Sequence, residues 1–172
     1  MKNFLTNIKM FLSKNRYTII LVLVLLILDQ ATKIFFDGKI YNIIDGVFSF
    51  TSSYNTGAGC SILSGHTWLL IVFSILFLAF IFVFNHFQKN KTKVYIAGYS
   101  LIVAGAFGNL IDRLCFGYVR DFISVDLINF PIFNIADICL TIGVMLMCVH
   151  LIFFEYNKKN KKDNLQSQET KE

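Results

Sequence analysis

The sequence predicts an all-α polytopic membrane protein: four transmembrane helices with a small extracytoplasmic β-structured loop. Three observations predict it. Of 172 residues, 55% are apolar and only 16% charged, and the mean hydropathy is +0.60; soluble domains run near half apolar with about a quarter charged. Four segments carry the ~20 apolar residues that a span needs at 1.5 Å rise per residue. Twelve of the 16 Lys and Arg fall in three clusters that punctuate these segments. A nucleic-acid binder would gather such charge on one folded face, so no nucleic-acid partner is expected.

The first span is expected over residues 17–36. It follows Lys2, Lys9, Lys14 and Arg16, a basic start that a cleaved signal peptide shares. The apolar run leads into Asp29 and Gln30, however, and not into a small-x-small cleavage site. A retained helix is expected. The second span, over 67–87, is the uncharged run TWLLIVFSILFLAFIFVF. The third, over 94–114, carries Ala104 and Gly108 at helical spacing, small enough to let helices approach closely. The fourth is expected over 133–154. Residues 1–156 thus form one four-span unit, and 157–172 read as a polar, disordered cytoplasmic tail.

Four spans place both termini on one side. Lys89, Lys91 and Lys93 share it, as do Lys158, Lys159, Lys161, Lys162 and Lys171 of the tail. Positive charge marks the cytoplasmic side. Two outer loops remain, over 37–66 and 115–132. The first contains Asp45-Gly46 between two β-prone runs, a hairpin signal. Phe48 and Phe50 alternate there with Ser49 and Thr51, so one face of the hairpin is expected on the lipid surface.

Cys60, Cys115, Cys139 and Cys148 have no CxxC spacing and read as small buried hydrophobes. His66, His86 and His150 are scattered without metal-ligand spacing. No metal and no cofactor are expected.

The polar residues at span ends carry the functional signal. Asp29 and Lys33 end the first span; Asn109, Asp112 and Arg113 end the third. Asp121 follows in the second outer loop, and Asn134 and Asp137 open the fourth span. The topology gathers all of them near the outer face. Ionisable groups in spans are expensive and face a bundle interior or a wet cleft. There is no GxSxG and no HExxH frame. Two carboxylates sharing one proton can hydrolyse a peptide, one as base and one as acid. By residue type alone, Asp112 ranks with Asp137 as a candidate. A cation- or proton-coupled transporter also uses intramembrane acids, but near the midplane. A metal-dependent lipid transferase or a non-enzymatic scaffold explains the polar cluster less well.

DQATK (29–33), NTGAGCS (55–61), GAFGNLIDR (105–113), VRDFI (119–123) and FNIAD (133–137) resemble, in order and spacing, the signature blocks of the lipoprotein signal peptidases, signal peptidase II. The resemblance spans nearly everything but the termini. It implies a monomeric aspartic endopeptidase of the bacterial cytoplasmic membrane. Such an enzyme cleaves prolipoproteins just before a cysteine carrying diacylglycerol, among membrane lipids and without a cofactor. It implies Asp121 and Asp137, sixteen residues apart, as the catalytic pair. Asp29, Lys33, Asn55, Gly57, Asn109, Asp112, Arg113 and Asn134 then bind substrate or support the site. Asp29 is expected to order it through Lys33 or an amide. Arg113 is expected either to pair with Asp112 or to grip a substrate carbonyl. Two departures stand out: Cys60 occupies a usually aromatic place, and Arg120 a usually aliphatic one. Either could retune substrate fit or loop packing.

Overall fold

The structure, a computed structural model, describes residues 2–58, 63–128 and 130–169. Four helices alternate with three short strands: α1 (Lys2–Phe36), β1 (Ile40–Ile44), β2 (Phe48–Asn55), α2 (Thr67–Phe87), α3 (Lys93–Phe116), β3 (Val119–Ser124) and α4 (Ile135–Glu169). Each helix contains a stretch long and apolar enough to cross a membrane: Asn15–Phe36, Thr67–Phe87, Lys93–Phe116 and Ile135–Phe153.

α1 and α4 run beyond their spans because nothing stops them. Residues 2–14 and 157–169 contain neither Pro nor Gly. Residues 157–169, expected from sequence to be disordered, continue α4 as helix. Their Lys, Gln and Glu side chains are good helix formers.

α3 is the central helix. Two thirds of its span is buried (67%), against 28% or less for the others. Ile102, Val103, Tyr95 and Tyr99 of α3 pack with Ile81 of α2 and Met147 of α4. Outward residues such as Ile27 and Phe80 are more than half exposed and suit a hydrocarbon solvent. The small residues of α3 set its neighbours' approach. A Cβ on Gly108 would strike the Asp29 carboxylate, and one on Gly105 would strike the Ala136 carbonyl of α4. Both polar elements of the site therefore reach α3 only because these two positions lack side chains.

The strands form one antiparallel sheet in the order β1-β2-β3. Asp45 and Gly46 make the expected turn, with Gly46 at φ +69°. The second outer loop, read from sequence only as a connection, contributes β3. Gly117 at φ +80° ends α3 and turns the chain into this strand. The lipid-facing role expected for Phe48 and Phe50 is not what forms: both are half-buried. Phe50 stacks on Phe36 at 4.4 Å between ring centroids, and Phe36 stacks on Phe122 at 4.9 Å. These rings dock the sheet on the end of α1. The exposed apolar residues of the sheet include instead Ile40, Ile43 and Ile44 of β1. Phe133 bridges Ile123, so α4 starts at Ile135. Cys139 is buried as expected, whereas Cys115 and Cys148 are exposed on outward helix faces. Cys60 lies outside the described residues.

Candidate active site

The sequence around α4's start dictates the local geometry. Asn134-Ile135-Ala136-Asp137 forms a reciprocal capping box. The Asn134 Oδ1 accepts from the Asp137 N–H at 3.0 Å, and the Asp137 Oδ2 accepts from the Asn134 N–H at 3.1 Å. Asp137 is thereby fixed in the first turn, where the helix dipole favours a carboxylate. Asp121 arrives on β3, and the Asn134 Nδ2 donates to its Oδ1 at 2.6 Å. Asn134 thus touches both carboxylates.

The other two oxygens are held as well. Asn55, at the end of β2, donates to the Asp121 Oδ2 at 3.0 Å. Asn109 of α3 donates to the Asp137 Oδ1 at 2.8 Å. All four oxygens of the pair therefore accept from amide N–H groups. Burial, and then the neighbouring Asp137 charge, push Asp121 up to about 6, against the lowering effect of Asn55 and Asn134. Asp121 therefore keeps its proton above the ordinary carboxylate range, as one member of an acid–base couple must.

The cations stand one layer behind. The Lys33 Nζ is fully buried, 2.9 Å from the Asp29 Oδ2 and 3.5 Å from the Asp112 Oδ2, and it donates to the Asn109 Oδ1 at 3.0 Å. The second Asp29 oxygen accepts from the Ala136 N–H at 2.9 Å. Asp29 thus orders the site both through Lys33 and by holding the residue before Asp137. Asp112, a candidate by residue type, turns away from Asp137. It pairs with Lys33 and with Arg120, whose Nη2 lies at 2.8 Å. Buried charges persist only when paired and hydrogen-bonded in this way.

Of the two roles expected for Arg113, the pairing with Asp112 does not form. Its Nη2 donates to the Gly57 carbonyl at 3.0 Å, and its buried Nε has no protein partner. Gly57 is a turn residue: its N–H donates to the Asn55 Oδ1 at 2.9 Å, and it does not line the cavity. The sequence assigns Gln30 no role and marks Arg120 only as a departure that could retune substrate fit or loop packing. Gln30 donates to Asp29, Asp112 and the Gly108 carbonyl, and Arg120 joins the buried layer instead of the substrate cleft. The N-x-x-D capping pattern is the one sequence signal that could have marked Asn134 as the organiser.

Two clefts meet at Asp137. One, of about 480 Å³, runs between β3, the segment Phe130–Phe133 and α4, past Ile138 and Thr141. The other, of about 360 Å³, runs along α2 past Leu70, Phe73 and Phe77. Ala58, Asn109, Arg113 and Asp137 line both. A larger cavity of about 680 Å³ lies between α1, α2 and α3, past Asn15 and Lys91, and no carboxylate among the described residues lines it. Among the described residues, no three His, Cys, Asp or Glu side chains converge as a metal site.

Fold and site together define a multi-pass membrane protein whose paired carboxylates can supply acid and base to a bond placed beside them. The chain belongs to the signal peptidase (SPase) II family, which matches residues 21–153. It is 41% identical over 146 residues to the lipoprotein signal peptidase of Microcystis aeruginosa, covering 79% of this chain and 92% of that one. It is 38% identical over 139 residues to that of Lactiplantibacillus plantarum, covering 78% and 93%. A solved bacterial membrane enzyme superposes with a TM-score of 0.76 at 35% identity, over 83% of this chain and 91% of that one. The chain is thus a membrane protease that removes signal peptides, and the transporter reading has no support.

Proposed function

We propose that the chain is an aspartic endopeptidase that cleaves prolipoproteins before a diacylglyceryl-modified cysteine, with Asp121 and Asp137 as the catalytic pair. One observation carries this: both carboxylates line one cleft, with every oxygen held by an amide donor. With one proton between them, the ionised carboxylate takes a proton from water as the oxygen attacks the scissile carbonyl. The protonated carboxylate donates to the carbonyl oxygen. The tetrahedral diol then collapses as a proton passes to the leaving amine. Arg113, which lines both clefts and has an Nε without a protein partner, serves to hold a substrate carbonyl. Two clefts suit a substrate with two arms, a peptide and a lipid. The test is hydrolysis of a diacylated lipobox peptide by purified protein in detergent with chelator present. Cleavage at the cysteine supports the reading, and a strict need for added metal overturns it.

The electrostatics make a separate expectation. Burial contributes more than the Asp137 charge to the raised Asp121 value. Asp137→Asn should therefore bring Asp121 only part of the way from about 6 towards the ordinary carboxylate range, read by infrared or carbon NMR titration. The folded protein holds a proton that the unfolded chain releases. The contribution of this group to stability is therefore present below the ordinary carboxylate range and lost as pH rises towards 6. No movement of Asp121 in Asp137→Asn would mean that the two do not interact.

The chain resides in the bacterial cytoplasmic membrane as a monomer, with both termini in the cytoplasm and the pair near the outer face. The three basic clusters support this orientation. A reporter fused after Tyr156 should be active only as a cytoplasmic fusion. An external readout would put the site on the wrong side for an exported substrate.

A further inference from the structure

We propose that Arg120 is a positioning residue for the reaction: with Asp112 it forms a buried clamp that fixes β3 where Asp121 meets Asp137. The proposal rests on the reading of Asp121 and Asp137 as the catalytic pair. Successive strand residues point to opposite faces. Asp121 therefore faces the cleft while Arg120 faces back towards α1 and α3, and Arg120 lines neither cleft. Its backbone N–H and its Nε both donate to the Asp112 Oδ2, at 3.0 and 3.2 Å, and its Nη2 donates to the Oδ1 at 2.8 Å. The same Nη2 donates to the Gln30 Oε1 at 3.0 Å, tying the clamp to α1. The Phe116 ring covers the guanidinium at 4.5 Å. Only 7% of this arginine is exposed.

The strand needs such a clamp. The β2–β3 ladder shifts register between Phe50 and Ser53, immediately beside the Ser53–Asp121 pair. An irregular ladder specifies register weakly, and a one-residue slip would carry Asp121 to the opposite face. Asp112 grips the main chain of the preceding residue directly, just as Asp29 grips the main chain at Ala136 before Asp137. Each catalytic carboxylate thus has its predecessor held by a buried carboxylate, and Lys33 joins the two holders. Arg120 also supplies the second cation for two buried acids. Its loss has two separable effects: an unbalanced Asp112 charge and a loosened strand.

The experiment separates them. Active sites are counted by titration with a tight-binding hydroxyl-bearing peptide isostere, so that unfolded protein does not enter kcat. Per titrated site, Arg120→Met should lose at least about tenfold in kcat with KM within about twofold, since small misplacement of a reacting group has effects of this order. Arg120→Lys, which keeps the charge but not the fork, should fall between it and the parent. Should Arg120→Met fail to insert, Arg120→Met/Asp112→Asn removes the unbalanced charge and should recover thermal stability while kcat stays low. Recovery of both would reduce Arg120 to charge balance and overturn the proposal, as would an unchanged kcat in Arg120→Met. Asp121→Asn serves as the blank: were it fully active, the catalytic reading itself would fail, independently of Arg120.

Discussion

Asp121→Asn and Asp137→Asn should each abolish cleavage, by at least about 10³-fold in kcat/KM, or about 4 kcal/mol of transition-state stabilisation. Each substitution leaves an amide where the reaction needs a group that exchanges a proton. Each variant keeps one carbonyl oxygen to accept and loses the other bond, its NH2 meeting Asn55 or Asn134 at position 121 and Asn109 or the Asn134 N–H at position 137, a cost of about 1–3 kcal/mol that leaves the four spans intact. The variants should therefore insert and fold, which thermal denaturation in detergent checks. Asp112→Asn is the contrast. It weakens the ion pairs with Lys33 and Arg120 but removes no reacting group. Lowered activity or expression is expected, with measurable turnover remaining. Wild-type turnover by purified Asp121→Asn would remove that residue from the pair and return Asp112 to candidacy.

A peptide identical except for an unmodified cysteine should be cleaved at least about 100-fold more slowly, a loss of about 2.7 kcal/mol. Buried acyl chains contribute roughly 0.8 kcal/mol per CH₂, so two chains retained in the leaflet locate the scissile bond firmly. Positioning of that kind lowers a barrier by several kcal/mol. On the proposed reading, the peptide and lipid arms lie in the two clefts, which share Arg113 and Asp137. The measurement is kcat/KM for matched lipidated and unlipidated peptides in one detergent, with Asp137→Asn as blank. Equal rates would mean that the lipid is not read and that the enzyme is a general membrane peptidase.

Much of this protein is legible in one dimension. Apolar length sets the four spanning helices, because a backbone in lipid must satisfy its own hydrogen bonds and a helix does so locally. The Asp45-Gly46 turn is local in the same sense. The gathering of Asp29, Asn109, Asp112 and Asp137 at one end follows from topology alone, since alternate span ends share a side. Long-range partners are a different matter. Asp121 and Asp137 reach one cleft only because β3 pairs with β2 and Phe133 bridges back to Ile123. No periodicity in the loop announced that pairing. Residue type alone could not choose between Asp112 and Asp121 either, which have the same chemistry nine residues apart; only the resemblance carried by the VRDFI block pointed to Asp121. Tertiary structure separates them by direction: Asp112 on α3 turns to Lys33 and Arg120, and Asp121 on the strand turns to Asn55 and Asn134. Burial then makes the difference chemical. Asp112 is matched by two cations, whereas Asp121, buried among amides and next to another carboxylate, is pushed above the ordinary carboxylate range.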